Sequence, residues 1–134
     1  MFTVNPENQT ATVIAGIPAI DMSLYHRIRF LVGDPAAWIG WAEDGKPRSA
    51  LMVRDIEMDR ARKTARADEV TCPSEFEPTG GLSGDRGIAT AQATAEFLVR
   101  HGFDQAIVHR DLPVLFADCF RERGIEVVCD RDLG

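Results

Sequence analysis

At 134 residues the chain has the length of one domain with a single core, and two domains would be a squeeze. Hydrophobic residues make up 45% and charged residues 27%, with 11 Gly and 7 Pro dispersed, a composition of soluble globular proteins rather than disordered or fibrous ones. The formal net charge is −6 and the 15 Lys and Arg are interspersed with 21 Asp and Glu, which argues against nucleic acid as a partner because that needs a clustered basic surface.

In chain order, Thr10 to Gly16 (TATVIAG) reads as a short buried strand closed by Gly16 and Pro18. Asp21 stands in N-cap position before Leu24, Ile28 and Leu31 at helical spacing, with Gly33 as the stop. Ala36 to Val53 reads as a hairpin, two strand-like runs joined by a somewhat long loop around the Asp44-Gly45 turn signal. A helix beginning near Asp55, a brief strand Glu69 to Cys72, and a Pro/Gly-rich loop from Pro73 to Gly87 follow. A loop of about fifteen residues in a compact domain is usually functional or disordered. Ile88, Ala91, Ala95, Leu98 and Val99 then share one helical stripe, capped by Asp85 and ended by Gly102. Gln105 to His109 is a covered-strand run, Leu112, Leu115, Phe116, Cys119 and Phe120 mark a last helix, and Ile125 to Cys129 a last strand. The order β α β β α β α β α β predicts an α/β fold: a mixed sheet of about six strands, parallel in its second half, with flanking helices.

The run Ala11 to Ile20 is too short to span a bilayer and lacks a preceding basic stretch, so a cytoplasmic location without a membrane partner is expected. Cys72, Cys119 and Cys129 are odd in number and widely spaced, which argues against a disulfide framework and a zinc site; all three are expected to be buried thiols.

Asp55, Glu57 and Asp59 follow one another at two-residue spacing and suggest a carboxylate cluster for a divalent cation, as in a ribonuclease H-like nuclease. On a strand they would share a face; on a helix, at about 100° per residue, Glu57 points away from Asp55. The order of charge, acids first and Arg60, Arg62, Lys63 and Arg66 after, matches a helix start complementing its macrodipole. His26, His101 and His109 have no metal-ligand spacing, and no Ser or Cys stands in a nucleophile motif. Gly80 to Gly87 (GGLSGDRG) has neither Gly-Lys-Ser/Thr nor G-x-G-x-x-G, and reads as a surface loop. Trp38 and Trp41, three apart on one strand, face opposite sides of the sheet, so one of them is available to an edge or a partner.

Three strings carry a resemblance. Val13 to Phe30 (VIAGIPAIDMSLYHRIRF) looks like a first strand followed by an "N-L-x-Y-L-T-x-F" segment, and Val32 to Lys63 like a hairpin and "D-x-E-x-x-R-A" helix start. Val108 to Asp130 looks like a "P-x-x-x-x-x-x-L-x-x-x-G-I-x-V" close. Together they resemble the N-terminal domain of the creatinase, prolidase and Xaa-Pro aminopeptidase family, across nearly the whole chain. The sequence departs from it in lacking a longer helix before the first strand and in reading LYHR over residues 24–27 where L-x-Y-L is commoner.

The resemblance implies a creatinase N-terminal domain-like, ribonuclease H-like sheet over residues 1–134. It implies that the chain is non-catalytic alone and holds no cofactor, and that the metal pair belongs to a separate C-terminal pita-bread domain absent from it. Such a domain takes part in oligomer assembly and walls one side of a peptide-substrate site, with its own catalytic domain and further copies as partners. Arg29, Phe30, Asp34 and Trp38 are the residues expected at that rim or interface, Arg29 facing a carboxylate. A freestanding binding or assembly module, and a nuclease using Asp55, Glu57 and Asp59, are the alternatives.

Overall fold

The computed structural model describes residues 10–133. Six strands form one sheet in the order β4-β3-β2-β1-β5-β6, with β1 Thr10–Gly16, β2 Ala36–Glu43, β3 Lys46–Met52, β4 Glu69–Thr71, β5 Gln105–Val108 and β6 Glu126–Cys129. The helices are α1 Met22–Ile28, α2 Met58–Thr64, α3 Arg86–Arg100 and α4 Val114–Glu122, in the order the sequence predicts. Antiparallel pairing of β2 with β1 and with β3 makes β2 the reversed strand, while β3 with β4, β1 with β5 and β5 with β6 are parallel. The mixed α/β sheet with flanking helices therefore stands.

Alternation along the strands divides the core between the two faces. Ala11, Val13, Ala15, Ile39, Ala50 and Met52 face α3 and α4, where Phe97, Leu98, Phe116 and Phe120 fill the layer. Ile14, Leu51 and Val53 face the opposite way, under Leu24 and Ile28 of α1 and Ala61 of α2. Trp41 packs with the first cluster and Trp38 with the second, the opposite facing that their spacing implies.

Several local expectations are corrected. The hairpin turn is tight: Glu43 pairs with Lys46, and Asp44 and Gly45 both take positive φ (53 and 77), as a two-residue turn between right-twisted strands requires. Helix α1 stops at Ile28 rather than running to Gly33, because Arg29 turns left-handed (φ 52, ψ 41) and donates its N–H to the Tyr25 carbonyl. Leu31 is accordingly exposed instead of lining the helix stripe. Asp55 does not cap α2; it lies inside a 3-10 turn, Asp55–Glu57, its side chain accepting the Ile56 N–H and its carbonyl the Met58 N–H. The long loop contains a further 3-10 turn, Pro73–Phe76, with Phe76 packed on Phe97. Of the cysteines only Cys72 is buried; Cys119 is half-buried, and Cys129 is exposed because β6 is an edge strand.

Candidate functional site at the carboxyl edge of the sheet

Because β1, β3, β4, β5 and β6 run in one direction, their carboxyl ends share one edge, at which the connecting helices begin. From β1 the chain leaves towards β2 and β3, whereas from β5 it leaves the other way to β6. In open α/β sheets the point where connections diverge leaves a crevice outside the strand ends, the usual place for a ligand. A crevice of about 600 Å³ lies there, walled by Gly16 and Ile17 after β1, Pro35 before β2, and Pro113, Leu115 and Phe116 after β5.

Asp21 stands in its wall and is held from three sides. One oxygen accepts the Leu24 N–H (3.1 Å), capping α1. The other lies 3.3 Å from Nε2 of His109, the residue after β5. Behind it, a Cβ on Gly16 would come within 2.8 Å of the carboxylate, so glycine is needed for Asp21 to sit so near the strand end. His109 is only 1% exposed, and with Nε2–H donating to the carboxylate its Nδ1 has no partner among the described residues. Sequence reading assigned His109 to a strand end and Asp21 to a cap. Their meeting depends on β1 pairing with β5, which no local signal announces.

Next to this crevice is a smaller hollow of about 230 Å³ lined by Asp34, Arg54, Cys72 and Arg86 among others. Asp34 lies 3.0 Å from Arg86 and 3.8 Å from Arg54, so its carboxylate ties the loop before β2 to the segment after β3 and to the start of α3. Exposed apolar residues collect along the same edge: Ile20 (78%) and Met22 after β1, Ile56 (69%) after β3 and Val114 (73%) after β5. Leu31 joins them, because the neighbouring Val32 accepts the Ala19 N–H (3.1 Å) across the β1 loop.

The four residues expected at a rim are not one cluster. Asp34 is at the edge. Arg29 holds the left-handed end of α1, its guanidinium 5.8 Å from the Tyr25 ring centre; positive φ in a non-glycine residue is a strained conformation of the kind that collects at working sites. Phe30 is a core side chain, 2% exposed, and Arg60 covers its ring at 4.1 Å. Trp38 lies over Gly40 with the Arg27 guanidinium 4.8 Å from its ring centre. That places its ring on the sheet face, directed away from the carboxyl edge.

Asp55, Glu57 and Asp59 do not converge: Glu57 pairs with Arg60 and Asp59 with Arg62, both within one turn. Among the described residues no three His, Cys, Asp or Glu side chains come together to hold a metal ion. Two ionisations are displaced. Hydrogen bonds from Arg100 and then Arg123 hold the Glu96 carboxyl below its ordinary 4.5, and burial raises the Cys119 thiol above 9.0, helped by Glu122 and Asp118. Both lie on α3 and α4, away from the edge.

No protein-family model matches the sequence and no curated protein matches it. Solved structures share its fold. A crystal structure of a Xaa-Pro aminopeptidase from Streptococcus pyogenes aligns with TM-score 0.60 and 13% identity over 90% of this chain and 77% of that one. A prolidase from Pyrococcus furiosus aligns with TM-score 0.58 and 14% identity over 91% of this chain and 29% of its own. A Xaa-Pro dipeptidase from Bacillus anthracis gives 0.60 and 13% over 92% and 29%. At such identities the likeness establishes the fold, and the chain spans under a third of the prolidase and of the dipeptidase.

Proposed function

We propose that this chain is the non-catalytic N-terminal domain of a Xaa-Pro aminopeptidase- or prolidase-like hydrolase. Its carboxyl edge packs on a separate catalytic domain or a neighbouring subunit and forms one wall of the peptide-substrate site. The observation that carries the reading is the row of exposed apolar side chains at that edge, Ile20, Met22, Leu31, Ile56 and Val114. Large apolar side chains exposed along one edge mark a contact with another protein surface, and burying them would stabilise the assembly. Support comes from a fold that matches nearly all of this chain but 29% of a prolidase, leaving most of such an enzyme for the chemistry.

On this reading Asp34, locked between Arg54 and Arg86, is the rim residue with a fixed direction, and Arg29, at the left-handed end of α1, faces a partner carboxylate. Phe30 acts through the position it gives Arg60, and Trp38 belongs to a separate surface on the sheet face. The metal pair, the homo-oligomer and the peptide substrate belong to the whole enzyme. A cytoplasmic location accompanies the reading; no helix among the described residues is long and apolar enough to cross a membrane.

Hydrogen exchange tests the covered edge. In the polypeptide of the whole reading frame, amides of residues 17–24, 54–58 and 112–116 should exchange more slowly than in the 134-residue chain. Equal rates in the two would remove the interface and the reading with it.

A further inference from the structure

We infer that the crevice between the ends of β1 and β5 is a binding site for a small organic cation with an apolar body, an aryl- or branched alkyl-ammonium. The inference does not rest on the peptidase reading and is stated for the 134-residue chain, in which Ile20 and Met22, covered in that reading, stand open in the crevice wall. The cavity of about 600 Å³ is in the size range of small-molecule sites and sits where the sheet connections diverge. Ile17, Pro35, Pro113, Leu115 and Phe116 give it an apolar lining, suited to an aromatic or branched aliphatic group.

Charge selects the head group. Asp21 and Asp111 are the ionisable residues in the lining, with the His109 imidazole behind Asp21, its Nε2 3.3 Å from the carboxylate. Asp21 is built into place by the α1 cap, by His109 and by the missing Cβ at Gly16, so its carboxylate is preorganised rather than a flexible surface acid. Asp111 is an exposed residue of the same lining. An ammonium gains from both carboxylates where a carboxylate ligand of the same shape is repelled by both.

The experiment is a titration of the isotopically labelled 134-residue chain, read by amide chemical shifts, with 2-phenylethylamine, 2-phenylethanol and 3-phenylpropionate as probes. Expected are saturable shifts confined to residues 16–23 and 111–116, with the amine binding about ten-fold more tightly than the carboxylate, the alcohol falling between. Asp111→Asn should weaken the amine several-fold and leave the alcohol unchanged. Because Asp111 is exposed, that substitution tests charge without disturbing the core. Equal or tighter binding of 3-phenylpropionate, shifts centred elsewhere, or no saturable shift with the amine would each overturn the inference.

Discussion

His109 Nε2 lies 3.3 Å from Asp21 Oδ2, joining the ends of two neighbouring parallel strands across 88 residues of sequence. The pair fixes the first turn of α1 to the end of β5 and so shapes the crevice. Asp21→Ala removes a helix cap and leaves His109 with neither nitrogen satisfied, at an expected loss of about 2–4 kcal/mol in urea unfolding. Asp21→Asn, which keeps the cap through its one carbonyl oxygen and turns its NH2 to His109, whose Nε2 then accepts, should lose under about 1.5 kcal/mol. Equal losses in the two variants would show that the hydrogen bonds do not hold this corner.

Gly40 is a packing requirement of Trp38. A Cβ at this position would lie 2.8 Å from Cζ3 of the Trp38 ring, which spreads across the glycine beneath Arg27. Gly40→Ala should therefore destabilise by about 1–3 kcal/mol, as overpacking does, and shift tryptophan emission to the red as the ring is displaced. Unchanged emission and stability would mean that the ring has room elsewhere.

Glu96 ties α3 to the end of α4, with Arg100 and Arg123 each 2.7 Å from its carboxylate. Its pKa is lowered from 4.5 by those hydrogen bonds, so the folded state holds the charged form more firmly than the unfolded chain does. The stability it adds is fully present above the unfolded value and is lost as pH falls through the lower folded value. The difference in unfolding free energy between wild type and Glu96→Gln should be constant near pH 7 and shrink below about pH 4.5. A difference that grew on acidification would contradict the pairing.

The three cysteines should react in an order set by exposure and ionisation. Cys129 is exposed, Cys119 is half-buried with its thiol raised above 9.0, and Cys72 is buried against Ser74. Since the thiolate is the nucleophile, iodoacetamide near pH 8 should label Cys129 first, then Cys119, and Cys72 only on unfolding. Mass spectrometry of the peptides reads the order, and early labelling of Cys72 would contradict the packing of the loop after β4.

The order of elements was legible because each is marked by local chemistry. Asp21 and Asp85 cap as expected, accepting the Leu24 and Ile88 N–H groups, and β1 has the bounds that its apolar run implies. The C-terminus of α1 was not, since a left-handed arginine takes the role that sequence reading gives to glycine, while the actual Gly33 lies free in the following loop. Burial of cysteine failed for a topological reason: Cys129 is on a strand that nothing covers along its outer side. The helical reading of Asp55, Glu57 and Asp59 held in its charge order, with Glu57 and Asp59 each pairing with an arginine three residues on. The crevice had no sequence signature at all, since its residues come from the loops after β1 and β5, from the stretch before β2 and from the first turns of α1, α3 and α4.

Hydrolysis of a Xaa-Pro peptide, measured with an added divalent metal ion, separates the domain reading from its rivals most directly. The 134-residue chain should give no cleavage above buffer, while the polypeptide of the whole reading frame should cleave and lose at least about ten-fold in kcat/KM on Ile20→Glu with Val114→Glu. Cleavage by the chain alone, or a doubly substituted full polypeptide as active as the parent, would contradict a non-catalytic domain whose carboxyl edge walls the substrate site.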